Sequence, residues 1–311
     1  DRLAHKMQGR TIDRRMKNGE ILKLALALAM GLMCAACAPQ TPLAAPTSAP
    51  APTPSPAKKT TPAVTSSAAP KQTPTAIPSP TPMTTAWQVV RPGLEFYRSP
   101  VRVNEQDNVV VAVRINPANA QFKVTYAPNA PKGVKDWLAV SGGAVAINGG
   151  FYTPQNTPLG LLISDGVLTG QTYRGFGGMF SVRDGKPALQ WLAKQPYAAD
   201  KKITQATQSY PMLVWGGKKI DTIEDAGRRS FRTFVGMDKQ GRVILGTAIV
   251  PLWTLTDLAQ YLDNEPLFAL DSALNLDGGG STGLWVNGVS DALLMDSFDP
   301  VPSVIVVTLK Q

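Results

Sequence analysis

The chain has 311 residues, a formal charge of +9, two cysteines (Cys34 and Cys37) and a single histidine, His5. Beyond residue 37 there is therefore neither histidine nor cysteine, which excludes Ser-His-Asp and Cys-His catalysis, histidine metal sites and thiolate zinc sites there. Chemistry in that part must come from carboxylates, Arg or Lys, Tyr, Asn, backbone amides or an oxygen-ligated cation such as Ca²⁺ or Mg²⁺.

Residues 1–37 read as a leader. Met16-Lys17 would begin one of normal length, Lys17 and Lys23 flank its start, and residues 24–33 form an apolar run too short for a stable membrane span. Cys34-Ala35-Ala36-Cys37 has the look of a bacterial lipobox, so Cys37 is the expected lipidation site. The protein is then exported and lipid-anchored at the outer face of a bacterial membrane, touching it through the anchor only. Residues 38–84 carry 13 prolines, three lysines and no acid among Ala, Thr and Ser. Such a segment buries too little apolar surface to fold, and reads as an extended linker. From Cys37 onward 24 basic residues face 19 acidic ones with no basic run interleaved with aromatics, so no nucleic acid is expected and no protein partner is implied.

Residues 85–311 suffice for one sizeable core. Strands are expected at 108–115 and, by alternation, at 121–126. A short helix is expected at 135–140 before Gly142-Gly143, then a short buried strand at 144–147 ending in Asn148-Gly149-Gly150. Three hairpins turn at Asp165-Gly166, Arg183 to Lys186 and Asp238 to Gly241. A further strand follows at 212–215. Residues 256–262 form the clearest helix, with Thr254 or Thr256 as N-cap. After the apolar residues 267–270 come Asn275-Leu276-Asp277-Gly278-Gly279-Gly280-Ser281-Thr282, then a strand and turn at 284–288 and a buried strand at 303–309. The fold class is α+β: a single domain with a mostly antiparallel mixed sheet and few helices.

Three glycines after an apolar run imply a sharp turn or a close approach. Successive N–H groups there can form an anion-binding concavity. The two polar-Gly-Gly strand ends, some 130 residues apart, suggest one site built on a rigid scaffold.

Four motifs occur in a telling order: 146–152 (AINGGFY), 208–214 (QSYPMLV), 232–236 (RTFVG) and 275–282 (NLDGGGST). Over residues 105–310 this pattern resembles the phosphodiester glycosidase domain. The resemblance implies hydrolysis of a sugar-1-phosphate diester at the sugar–phosphate bond. Tyr152, Tyr210 and Gly283-Leu284 depart from the family's usual residues.

That chemistry needs stabilisation of a sugar cation and of a departing phosphate. Asp277 is the expected catalytic carboxylate, with capping of its own glycine turn as the alternative. Arg232 is the expected phosphate clamp, or else an arginine on a strand surface, with Arg228 and Arg229 as backups. Asn148 would hold the sugar or orient water, or stabilise its turn. Gly149, Gly150, Gly278, Gly279 and Gly280 would bring backbone close to substrate. Ser281 and Thr282 would donate to phosphate or ligate a cation, and Gln208 would contact the sugar or pack a strand end. Asp271 is a possible second carboxylate, while Asp296 and Asp299 read as solvated turn residues. No cofactor is required, a Ca²⁺ or Mg²⁺ role stays open, and the substrate is a glycan or sugar phosphate of the envelope or exterior. The alternative is a non-catalytic glycan-binding lipoprotein with the same fold.

Overall fold

Seventeen strands and two α-helices, numbered in chain order, make up the described part of the chain. The computed structural model describes residues 86–224 and 227–310. The expected leader (1–37), Cys37 and linker (38–84) lie outside them. No helix among the described residues is long and apolar enough to cross a membrane.

The largest sheet has eight strands. In spatial order these are β1 (Gln88–Arg91), β2 (Leu94–Val103), β3 (Gln106–Ile115), β14 (Val243–Trp253), β13 (Ser230–Asp238), β15 (Leu270–Asn275), β11 (Met212–Trp215) and β12 (Lys218–Lys219). A five-stranded sheet runs β7 (Val167–Thr169), β6 (Leu162–Ser164), β10 (Ile203–Ser209), β8 (Gly178–Arg183) and β9 (Lys186–Trp191). A four-stranded sheet runs β16 (Leu284–Val286), β5 (Val145–Asn148), β17 (Ser303–Leu309) and β4 (Ala120–Tyr126). Every described strand pair is antiparallel. The expectation of a mixed sheet is therefore corrected, and with two helices beside so many strands the α+β class is met only roughly.

Side-chain alternation explains the layering. Val111, Val113 and Leu245 from the large sheet, Val145, Ile147, Ile305 and Val307 from the small one, and Phe180 and Val182 from the third share one central core. The opposite face of the large sheet, with Val110, Ala112, Ile244 and Phe234, packs against α2 (Leu255–Asn264) through Leu258 and Leu262. The outer face of the small sheet, with Ala146, Val304 and Val306, packs against α1 (Val134–Ser141) through Trp137 and Leu138. Buried on both faces, β3, β5 and β17 read as continuous apolar runs in the sequence.

Local signals stop the elements. Thr254 forms a capping box with Asp257 at the start of α2. Gly142, in the left-handed region at φ 65°, ends α1. Asp165-Gly166 and Asp184-Gly185 turn their hairpins with positive φ at both residues.

β10 escapes the sequence patterns because its buried residues are polar. Gln205 is buried, and its Oε1 accepts the Val124 N–H at 3.0 Å while its Nε2 donates to Asp165 at 2.9 Å. It thereby joins the five-stranded and four-stranded sheets. Gln205→Ala orphans the Val124 N–H, a loss of about 2 kcal/mol. The denaturation midpoint should fall accordingly at unchanged slope; an unchanged midpoint would show that water replaces the amide at no cost.

Candidate active site

The two glycine corners meet directly. Asn148 ends β5 fully buried, and the Asp277 N–H donates to the Gly149 carbonyl at 3.1 Å. Asn148 Nδ2 donates to the Asp277 carbonyl at 2.7 Å and to that of Gly149 at 3.3 Å. Its Oδ1 accepts from Thr233 Oγ1 at 2.9 Å and from the Gly283 N–H at 3.2 Å. One side chain thus ties together the end of β5, the 277–283 loop and β13. Its hydrogen-bonding capacity is spent on the protein, as the alternative of a residue that stabilises its turn expects.

The glycines serve this junction. A side chain at Gly149 would collide with Ser303, one at Gly150 with the Gln208 carbonyl, and one at Gly278 with the Phe231 carbonyl. Each thus allows another segment of the protein to approach closely. Gly279 has φ +61°, a left-handed conformation that a side chain would strain. At Gly280 the occupant of the space is the Asp299 carboxylate, and Asp299 N–H donates to the Gly280 carbonyl at 3.0 Å.

Asp277 follows β15 and is partly buried. Its Oδ1 accepts the Gly278 N–H at 2.9 Å, so it does cap its own turn. Burial pushes its carboxyl up to about 6, with the Asp299 charge acting in the same direction. Hydrogen bonds from Ser281 and from the Gly278 N–H, and the Arg228 charge, act against this rise. Ser281 is buried, and its Oγ lies 3.1 Å from the Tyr152 hydroxyl. The Tyr152 phenol is itself raised, first by burial and then by the charges of Asp277 and Asp299, against the lowering bond to Ser281. Thr282 is fully buried, and its Oγ1 makes no hydrogen bond among the described residues.

Two expected contacts are placed differently. Thr233 faces Asn148, so alternation along β13 sends the Arg232 side chain to the opposite face. There its Nε donates to the Trp253 carbonyl at 2.9 Å and its Nη2 to the Arg228 carbonyl. Arg232 is buried and engaged with backbone, and it fixes the segment that carries Arg228. Gln208 is also buried. Its Oε1 accepts the N–H groups of Leu161 at 3.2 Å and Tyr173 at 2.8 Å, and its Nε2 donates to Thr172 at 2.8 Å. It packs a strand end, the alternative role, and ties Leu161, Thr172 and Tyr173, on either side of the β6–β7 hairpin, to β10.

Three residues at the site, Tyr152, Tyr173 and Asp299, were not singled out for it by the sequence, and Arg228 only as a backup to Arg232. Tyr152 had only its place beside the glycine pair. Arg228, Tyr173 and Asp299 are brought in by folding. Asp271 is exposed on β15, and Asp299 is the carboxylate that lies by Asp277. No group of three or more His, Cys, Asp or Glu side chains that would hold a metal occurs among the described residues.

The phosphodiester glycosidase family profile matches residues 141–308, which include both glycine corners, β13 and Asp299. The zebrafish N-acetylglucosamine-1-phosphodiester α-N-acetylglucosaminidase catalytic domain, auto-inhibited by its pro-peptide, is similar in fold at TM-score 0.55 and 20% identity, covering 72% of this chain and 86% of that one. A protein from Synechocystis is similar at TM-score 0.51 and 16% identity, covering 70% of this chain and 62% of that one. A search of curated proteins found no match. At these identities the two structures speak for the fold alone, whereas the profile spans more than half of the chain: the chain belongs to the phosphodiester glycosidase family.

Proposed function

We propose that the protein is an extracytoplasmic hydrolase that cleaves the sugar–phosphate bond of a glycosyl phosphodiester in an envelope or extracellular glycan. One observation carries this reading: the two glycine corners lock around a partly buried carboxylate, Asp277, with a second carboxylate and two hydroxyls beside it. Export and lipid anchoring at Cys37 are part of the proposal and are motivated by the sequence of residues 16–37.

In the proposed step, water attacks the anomeric carbon while Asp277 takes its proton. The carbon–oxygen bond to phosphate breaks, and its electron pair leaves on the phosphate oxygen. The products are a reducing sugar and a phosphate monoester. A phosphodiester is a weakly basic leaving group, so the step relies less on a strong general acid than ordinary glycoside hydrolysis does. Charge stabilisation counts for more. Arg228, held through its carbonyl by Arg232, supplies positive charge near Asp277 for the departing phosphate. Tyr152 and Ser281 position the carboxylate and contact sugar hydroxyls. A carboxyl titrating near 6 suits a base working close to neutrality. The rival reading, a glycan-binding protein without turnover, draws on the commitment of Asn148, Arg232 and Gln208 to the protein itself.

Asp277→Asn should abolish release of reducing sugar from a sugar-1-phosphodiester by the full-length chain. The carboxyl's folded value of about 6 exceeds its ordinary 3.8. Its contribution to stability is therefore complete below pH ~4 and is lost as pH rises through about 6. The variant should then be the more stable one at pH 8, by up to about 3 kcal/mol. Turnover surviving in Asp277→Asn would end its role as base.

The pH profile tests the second carboxylate. With Asp277 acting as a base, kcat/KM falls as pH drops below about 6. Asp299→Asn removes a charge that raises Asp277, so this acidic limb should move to lower pH. A limb that stays in place, or an activity lost on the alkaline side instead, contradicts the assignment.

The two arginines should separate in their effects. Arg228 is exposed, so Arg228→Ala should lower kcat/KM by about 10- to 100-fold with the melting temperature nearly unchanged. Arg232→Ala should lower the melting temperature first, because it strips the buried Trp253 carbonyl of a donor. Equal activity in Arg228→Ala and the parent chain would remove Arg228 from the mechanism.

A further inference from the structure

Beside Asp277 lies a group of aromatic rings that the proposed chemistry does not use. Tyr173 stacks on Phe176 with centroids 4.8 Å apart and an interplanar angle of 26°. Tyr210 meets both rings edge-on, at 6.0 and 5.9 Å, and packs against Phe151 at 4.9 Å. Large apolar faces stay open to solvent, with Phe176 51% and Tyr210 41% exposed. Phe176 is displayed between Gly175 and Gly177, at φ +78° and +72°. A side chain at Gly177 would also collide with the Ser209 carbonyl and crowd Tyr173 and Tyr210, so the display depends on a tight turn.

The group is continuous with the site. Phe151 directly follows the Asn148-Gly149-Gly150 corner. The Tyr210 carbonyl accepts from Asn275 Nδ2 at 2.8 Å, two residues before Asp277. The Tyr173 hydroxyl is buried and makes no hydrogen bond among the described residues. Its phenol is pushed up to about 12 by burial, then by Tyr210 and by the Asp277 charge, so it is a neutral hydroxyl within electrostatic reach of that carboxylate.

We infer that Phe176 and Tyr210, backed by Tyr173 and Phe151, form a sugar-stacking subsite that seats a pyranose ring of the substrate next to Asp277. This rests on the glycosidase reading above. A pyranose presents an apolar face of axial C–H groups and a rim of hydroxyls. Half-exposed rings beside hydroxyl donors and a carboxylate match both features. The open faces amount to one or two rings, well short of the patch a stable protein partner requires. The subsite also gives a part to Tyr210, one of the residues at which this chain departs from the family's usual pattern.

The test is binding of N-acetylglucosamine, glucose and galactose to the full-length chain by saturation-transfer NMR, with indole as a flat aromatic probe. These monosaccharides hold no phosphodiester, so binding is read apart from turnover. Phe176→Ala and Tyr210→Ala should each weaken sugar binding by about tenfold. Phe176→Tyr should keep it, and Val140→Ala, a change at an exposed apolar residue of α1, should leave it unaltered. Unchanged affinity in both alanine variants, no sugar binding by the parent chain, or a preference for indole over every sugar overturns the subsite. Sugar binding without any turnover of a sugar-1-phosphodiester instead defeats the glycosidase reading and leaves the subsite standing. Turnover whose KM is indifferent to Phe176→Ala does the reverse.

Discussion

The site depends on one buried amide. Asn148 receives from Thr233 and Gly283 and gives to Asp277 and Gly149. These partners come from three segments that lie far apart in the chain. A buried polar side chain is stable only when its groups are matched, and a half-matched network is worse than none. The four bonds therefore define a single arrangement of β5, β13 and the 277–283 loop, and with it a single position for the Asp277 backbone. Glycines at 149, 150 and 278 are the steric condition for that arrangement, because each sits where a Cβ would strike a neighbouring segment.

The same closeness sets the electrostatics. Packing three segments together removes water from Asp277, and burial is the largest influence raising its carboxyl. The bend at Gly280 brings the Asp299 carboxylate alongside, and its like charge further disfavours ionisation of Asp277. The hydrogen bonds from Ser281 and Gly278 and the Arg228 charge pull the other way. The outcome is a carboxyl near the middle of the physiological range, in an otherwise marginally favourable corner. Once ionised, the group costs stability at a place the fold over-determines.

Large parts of the fold were legible locally. The continuous apolar runs of β3, β5 and β17, the alternation of β4, the Asp-Gly hairpins and the Thr254 capping box each rest on residues within a few positions of one another. β10 was not legible, since Gln205, Thr207 and Gln208 bury polar groups whose partners lie on other strands. β2, with its internal Pro100 and charged residues, was hidden for a similar reason: its pairing with β3 and the core behind it, not its own pattern, make it a strand.

For the site, the sequence alone supplied the two glycine corners, the carboxylate between them and the exclusion of histidine and thiolate chemistry, because these are properties of composition and of neighbouring residues. The tertiary structure alone decided what each side chain touches. It turned Arg232 to the far face of β13, spent Asn148 and Gln208 on backbone and hydroxyl groups of the protein, and brought Asp299, Arg228 and Tyr173 to Asp277. The physical reason is range. Turn and strand preferences act over a few residues, whereas burial, charge and hydrogen-bond partnership act through space between segments that only the packed sheets bring together.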